Sequence, residues 1–355
     1  MLQVSLGVLL FALGLAVVAA ALRSAIFTFI LPRGVSDPLT VAVFRTVRAL
    51  FNLRLRHLNT YLERDRVMAL YAPISLVALP PAWLAFVTAG YTLMYRAAGV
   101  PSWHDAFLLS GSSLLTLGSV PLTSVPLAAL AFTQATLGLL LVAVLISYLP
   151  TMYAAFSRRE AAVNLLDVRA GSPPSAVEML ARYHRIHGLD ELGEVWRTWE
   201  VWFADVEETH TSLAALAFFR SPQPDRSWVT AAGAVLDAAS LVDSTVDMPR
   251  DPRSNLCIRA GFLALRRIAD FFGVAYNPNP TPTDPISISR EEYDAACQRL
   301  PDQGLKLKPD RDQAWRHFAG WRVNYDTVLL ALAALTMAPY APWSSDRSLL
   351  VRRRP

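Results

Sequence analysis

Apolar positions follow one pattern up to about position 156 and another beyond it. Met1 to Leu22 carries no charge, close to the run of about 20 apolar residues that crosses about 30 Å of hydrocarbon. It predicts a first membrane span, in a segment covering 1–31. A cleaved leader would need a basic start, and Met1–Ser5 has none. Val67–Tyr95 is a second uncharged run, interrupted by Pro73, Pro80 and Pro81 but long enough to cross with a kink. Ala106 to Ser157 is uncharged over 52 positions and is broken by Gly118, Pro121 and Pro126. Its first piece, Ala106–Leu117, predicts a helix of about 18 Å, too short to cross. Its second piece, Pro126–Phe156, crosses. A short helix that enters, turns and leaves on the same side is a re-entrant loop, and 67–156 is then one two-helix module. Non-helical backbone at membrane depth is tolerated only where protein or water surrounds it, so the turn should line a pore or an interface. The other reading is a hydrophobic hairpin resting on the outer surface.

Beyond Phe156 the spacing is that of water-soluble helices. Ser175-Ala-Val-Glu178 and Ser289-Arg-Glu-Glu292 have the form of a capping box, and Asp310 or Asp312 is placed to cap the last helix. Tyr276–Ser289, with Pro278, Pro280, Pro282 and Pro285, predicts a loop. No segment alternates as a strand does, and no repeat is evident. Thr327–Ser345 is uncharged over 19 residues, but Pro339 and Pro342 break it. Crossing there would also put Arg352, Arg353 and Arg354 outside, so a buried core helix is expected. The fold class is all-α: three transmembrane helices, a re-entrant pore helix, and a helical cytoplasmic domain over 157–355.

Charge supplies the orientation. Met1–Ala155 holds nine arginines, no lysine and only four carboxylates. Eight of the arginines, Arg23, Arg33, Arg45, Arg48, Arg54, Arg56, Arg64 and Arg66, fall between the first two spans. Segment 32–66 is therefore a basic cytoplasmic or interfacial linker, with the N-terminus outside and the C-terminus cytoplasmic. Within it Val43, Val47, Leu50, Phe51, Leu55 and Leu58 recur at helical spacing, as in a helix lying in the interface; a connector packed on the C-terminal domain is the alternative. Of the 355 residues, 53% are hydrophobic and 17% charged, against about 45–50% and about 25% in soluble domains. Disordered and nucleic-acid-coating proteins are excluded, and the cell (inner) membrane is the expected location. Cys257 and Cys297 are too few for a disulfide framework and suit a reducing compartment.

The order span, short helix, T-x-G loop, span resembles the pore module of the potassium-channel superfamily, over about Val67 to Phe156. In that family a Ser/Thr run precedes T-V-G-Y-G, whose carbonyls replace the ion's hydration shell. Here Ser110-Gly-Ser-Ser-Leu-Leu-Thr116-Leu-Gly118 keeps the small polar approach and the T-x-G core. Ser119-Val120-Pro121 replaces the remainder, closer to the T-x-G-x-x-P form of the cyclic-nucleotide-gated relatives. The resemblance implies filter positions at Ser112, Ser113, Thr116, Leu117, Gly118, Ser119, Val120 and Pro121. It implies a homotetramer, because each chain has one loop, and a weakly selective pore for potassium and sodium. Gly118 is suited to the positive φ that such a loop needs. Gly138 and Pro150 are candidate bending points of the last span, although close helix packing would equally account for Gly138.

The alternative is a non-conducting, channel-derived anchor whose helical domain binds a partner protein. No nucleotide-binding fingerprint and no hydrolase or metalloprotease motif is present, so neither an enzyme nor a cofactor is expected. The expected partners are the bilayer and further copies of the chain, with monovalent cations as the permeant species and no nucleic acid. Trp196, Trp199 and Trp202 form an aromatic stripe that reads first as core, and otherwise as a contact surface. His184 and His187, with Glu207, Glu208 and His210 further on, resemble a loose metal constellation but read first as ordinary surface residues.

Overall fold

The structure is a computed structural model and describes residues 2–29 and 37–347. The boundary at 31/32, Arg33 and Arg352–Arg354 lie outside the described residues. Among these the fold is all-helical, its only extended pairing being an isolated bridge between Val246 and Leu307. The helices are α1 (Leu2–Phe29), α2 (Pro38–Leu55), α3 (Tyr61–Met68), α4 (Tyr71–Ala97), α5 (Trp103–Leu114), α6 (Val125–Ala170), α7 (Ala176–Arg185), α8 (Leu192–Ser212), α9 (Trp228–Ser244), α10 (Pro252–Phe271), α11 (Arg290–Asp302), α12 (Arg311–Arg322) and α13 (Asp326–Thr336). Three stretches are long and apolar enough to cross a membrane: Val4–Phe29, Tyr61–Ala97 and Val125–Ala170.

Chain contacts divide the molecule into two units, Met1–Asn59 with Val67–Tyr153, and Thr60–Arg66 with Ala154–Pro355. In the first unit α1 packs along α4 through small residues. A Cβ on Gly14 would stand 2.4 Å from the Gly90 carbonyl oxygen, and one on Gly90 2.6 Å from Val18 Cγ2. Such backbone approach is how helices associate where no water drives them together. Near the end of α1, Trp83 Nε1 donates to Ser24 Oγ (3.0 Å), and Ser24 donates to Asp37 (2.5 Å). Asp37 is the N-cap of α2, accepting from the Thr40 amide. α2 packs on α4, with Phe44 and Phe51 on either side of Tyr71 and Arg48 over its ring. It therefore belongs with the apolar helices of the first unit.

The second unit is organised around α9. All but one of its 17 residues are buried, and an element apolar all round belongs at a core's centre. Trp196, Trp199 and Trp202 on α8 are 0%, 1% and 6% exposed, so the aromatic stripe is core. Ser175 caps α7, and Ser289 with Glu292 forms the full capping box of α11. Asp310 caps α12, after which one more helix follows. That helix, α13, is buried and stops at Met337, whose φ of 53° is left-handed. Residues 60–66, read from the sequence as linker, pack within this unit: Arg220 binds Asp65 and the Tyr61 hydroxyl.

Candidate functional site

α5 starts and stops by local chemistry. Ser102 accepts from the Asp105 amide as N-cap. At the other end the Thr116 amide donates to the Ser113 carbonyl (3.1 Å) and the Leu117 amide to the Ser112 carbonyl (2.8 Å), the paired bonds of a Schellman stop. The helix thus runs three residues earlier than the apolar pattern predicts, because its caps rather than its hydrophobicity set the ends. The stop requires a left-handed residue, and that residue is Thr116, with φ 56°. A β-branched side chain is a poor occupant of this region, and glycine is the usual choice. Gly118 is also left-handed, at φ 63°, with open space where a Cβ would be. Strain of this kind collects at functional sites.

The loop is tied to its own helix. Ser112 Oγ accepts from both the Ser119 amide and the Ser119 hydroxyl, each at 3.0 Å. Ser112 is buried, whereas Leu115, Thr116, Leu117, Gly118, Ser119 and Pro121 are exposed and Val120 is half-buried. Leu115, Leu117 and Val125 are 59%, 65% and 83% exposed, large apolar groups that a single chain leaves uncovered.

Behind the loop lies a hydrogen-bond chain whose individual links were not foreseen from the sequence. Tyr95 Oη donates to Gln134 Oε1 (3.1 Å) and stands 3.4 Å from Ser113 Oγ. Gln134 Nε2 donates to Ser110 Oγ (2.7 Å), and Ser110 donates to the Thr88 carbonyl (3.0 Å). Tyr95, Gln134 and Ser110 are each 0% exposed, so α4, α5 and α6 are joined through a polar seam closed to solvent. A second link joins Tyr91 Oη to Thr133 Oγ1 at 3.0 Å. The available signal was a lone Gln inside an otherwise apolar span. Gly138 lies where α6 meets the end of α5: a Cβ there would be 2.6 Å from the Leu114 carbonyl oxygen. Pro150 lies on an exposed face within the continuous helix α6.

The other sequence candidates are not brought together. His187 sits just past α7 at φ 56°, and the His184 ring lies against Gly304. Glu207 pairs with Arg267. His210 is 0% exposed, packed against the Trp228 ring at 4.6 Å and a tilt of 58°, and 3.2 Å from Arg159 through Nε2. Burial, then the neighbouring Arg159 charge, hold its pKa well below the ordinary value. Among the described residues no group of three or more His, Cys, Asp or Glu is arranged to hold a metal ion. No protein-family model, curated protein or solved structure matches this chain.

Proposed function

We propose that the chain is a pore-forming subunit of a cell (inner) membrane, four copies of which surround a path for monovalent cations. The observation that carries this reading is α5 with its loop: a helix of 12 residues, between two helices long enough to cross, ending in a left-handed Thr116 and Gly118. A segment that cannot cross must return to the side it came from, and the buried seam to Tyr95 and Gln134 supports a fixed depth for it. Exposed Leu115 and Leu117 at the loop suit a surface covered by further copies. With Ser119-Val120-Pro121 after the glycine, fewer carbonyl rings face the ion, and discrimination between potassium and sodium is weak. Orientation follows the arginine-rich segment, with the N-terminus outside.

Flux through liposomes containing the purified chain tests this, with potassium and sodium supplied in turn and the mass of the assembly measured in mild detergent. Comparable flux of both ions through a tetramer is expected. Gly118→Val removes it by violating the positive φ at Gly118, while the fold of each chain survives, because space around Gly118 within the chain is open. A monomer, or no flux under varied pH, calcium and tension, rejects the pore and leaves an anchor whose helical domain serves a partner.

A further inference from the structure

A small cavity lies in the unit built around α9, and the pore reading makes no use of it. Its walls include Arg220, Ser221, Arg226, Ser227, Trp228 and Thr336, and its volume is about 20 Å³. That is room for a water or a small ion.

The polar groups at this cavity are unbalanced. Ser221 is 9% exposed, and its Oγ, like Arg226 Nε, is buried with no hydrogen-bond partner. The remaining Arg226 nitrogens are engaged, with Asn164 Oδ1 at 2.7 Å and Asp167 Oδ2 at 2.6 Å. Neighbouring carbonyls already accept from other donors. Arg220 takes the carbonyls of Thr336 (3.0 Å) and Met337 (3.1 Å), Trp228 Nε1 takes that of Ala217 (3.1 Å), and Arg159 takes that of Phe219 (2.8 Å). Ser227 is the N-cap of the 17-residue α9, so the positive end of that helix dipole also borders the space. Two guanidinium groups, a hydroxyl and a helix start meet here, and four nearby carbonyls already accept a hydrogen bond each. Donors predominate in such a space, which suits an anion.

We propose that this cavity binds a single halide ion, chloride in the cell, held by Ser221 Oγ–H and Arg226 Nε–H at the start of α9. The carboxylates Asp65 and Asp167 balance Arg220 and Arg226 from their other nitrogens. The ion is therefore held by hydrogen-bond donors rather than by net charge. This rests on the second unit alone and stands whether or not the chain conducts.

The test is thermal melting of the full-length protein in detergent at constant ionic strength, with chloride or bromide replacing gluconate and sulfate as the polyatomic control. A halide-specific rise in Tm of about 2–4 °C is expected. Ser221→Ala abolishes the rise while changing the melt in gluconate little, and Arg226→Lys, which keeps the positive charge, also loses it. Crystals grown in bromide show an anomalous peak between Ser221 Oγ and Arg226 Nε. A water without anomalous signal at that position, an equal response to sulfate, or an undiminished response in Ser221→Ala overturns the proposal.

Discussion

Between α4, α5 and α6 the buried polar contacts are made by uncharged groups, Tyr95, Gln134, Ser110 and Ser113, whereas the core around α9 holds a guanidinium between two carboxylates. Arg322 is 0% exposed and binds Asp237 through both oxygens, at 2.7 and 2.8 Å, and Asp326 at 2.7 Å. Tyr325 Oη donates to Asp237 at 2.9 Å. Burial raises the Asp237 carboxyl and Arg322 opposes it. Arg322 itself, which burial alone would depress, is held above its ordinary value by the two carboxylates. A charge at mid-membrane costs about 2.5–3.5 kcal/mol even by lenient scales. A seam of hydroxyls and one amide joins three helices without that cost. A protein core tolerates charges, but only as a complete set, because a lone buried ion is strongly destabilising. The first arrangement should degrade gradually, the second all at once.

The sharpest way to break this contrast is Arg322→Met. It strands Asp237 inside the core and should lower the stability of the second unit by about 3–5 kcal/mol. Combining it with Asp237→Leu should recover most of the loss, since Asp326 keeps the Ser287 amide and hydroxyl at 2.8 and 2.7 Å. Urea unfolding followed by tryptophan fluorescence reads both. Equal instability of the single and double variants would show that packing, not the stranded charge, sets the cost.

His210 gives the next largest effect. It is neutral in the folded chain, its pKa depressed first by burial and then by Arg159, while in the unfolded chain it titrates near pH 6.5. The unfolded state therefore binds more protons below that pH, and stability falls as pH drops. The slope approaches about 1.4 kcal/mol per pH unit below about pH 6.5. Unfolding midpoints at pH 7.5 and 5 measure it, and His210→Gln should flatten that part of the profile. An unchanged slope in the variant would assign the pH dependence elsewhere.

On the apolar side the matching change is Gln134→Leu, which opens the chain between Tyr95 and Ser110. Interhelical hydrogen bonds of this type are worth about 0.6–2 kcal/mol, so folding survives. Flux should drop, because α5 loses its tie to α6. Gln134→Glu should be worse than Leu, as it places a carboxylate among neutral groups. If both variants conduct normally, the seam is structural support with no hold on the loop.

The links in these networks also show what a sequence reveals. Hydropathy located the three long apolar helices, and short-range chemistry located Ser175, Ser289 and the loop before it, because a cap and its amide lie three residues apart. Tyr95 and Gln134 are 39 positions apart and Arg322 and Asp237 are 85 apart. Such pairs are created by packing and leave no local pattern. α5 shows both sides: its existence was legible from missing charge, yet its register depends on Ser102 and Thr116. A threonine at a left-handed stop runs against propensity, so the apolar pattern carried the prediction three residues too far.

That threonine gives the smallest and most discriminating test. Relieving a left-handed L-residue gains about 1–2 kcal/mol, and glycine's extra freedom in the unfolded chain returns about 0.5–1 of it. Thr116→Gly should therefore leave α5 in place and stabilise the fold by up to about 1 kcal/mol, whereas Thr116→Ala keeps a Cβ in the same region and gains little. Melting of the two variants gives the stability, and liposome flux gives the function. If Thr116→Gly is more stable and still conducts, Thr116 is only a helix stop, and the oxygens facing any ion come from Leu117 onward. If flux falls in both variants while stability rises in one, the hydroxyl is retained for function against a folding cost, as expected where strain and site coincide.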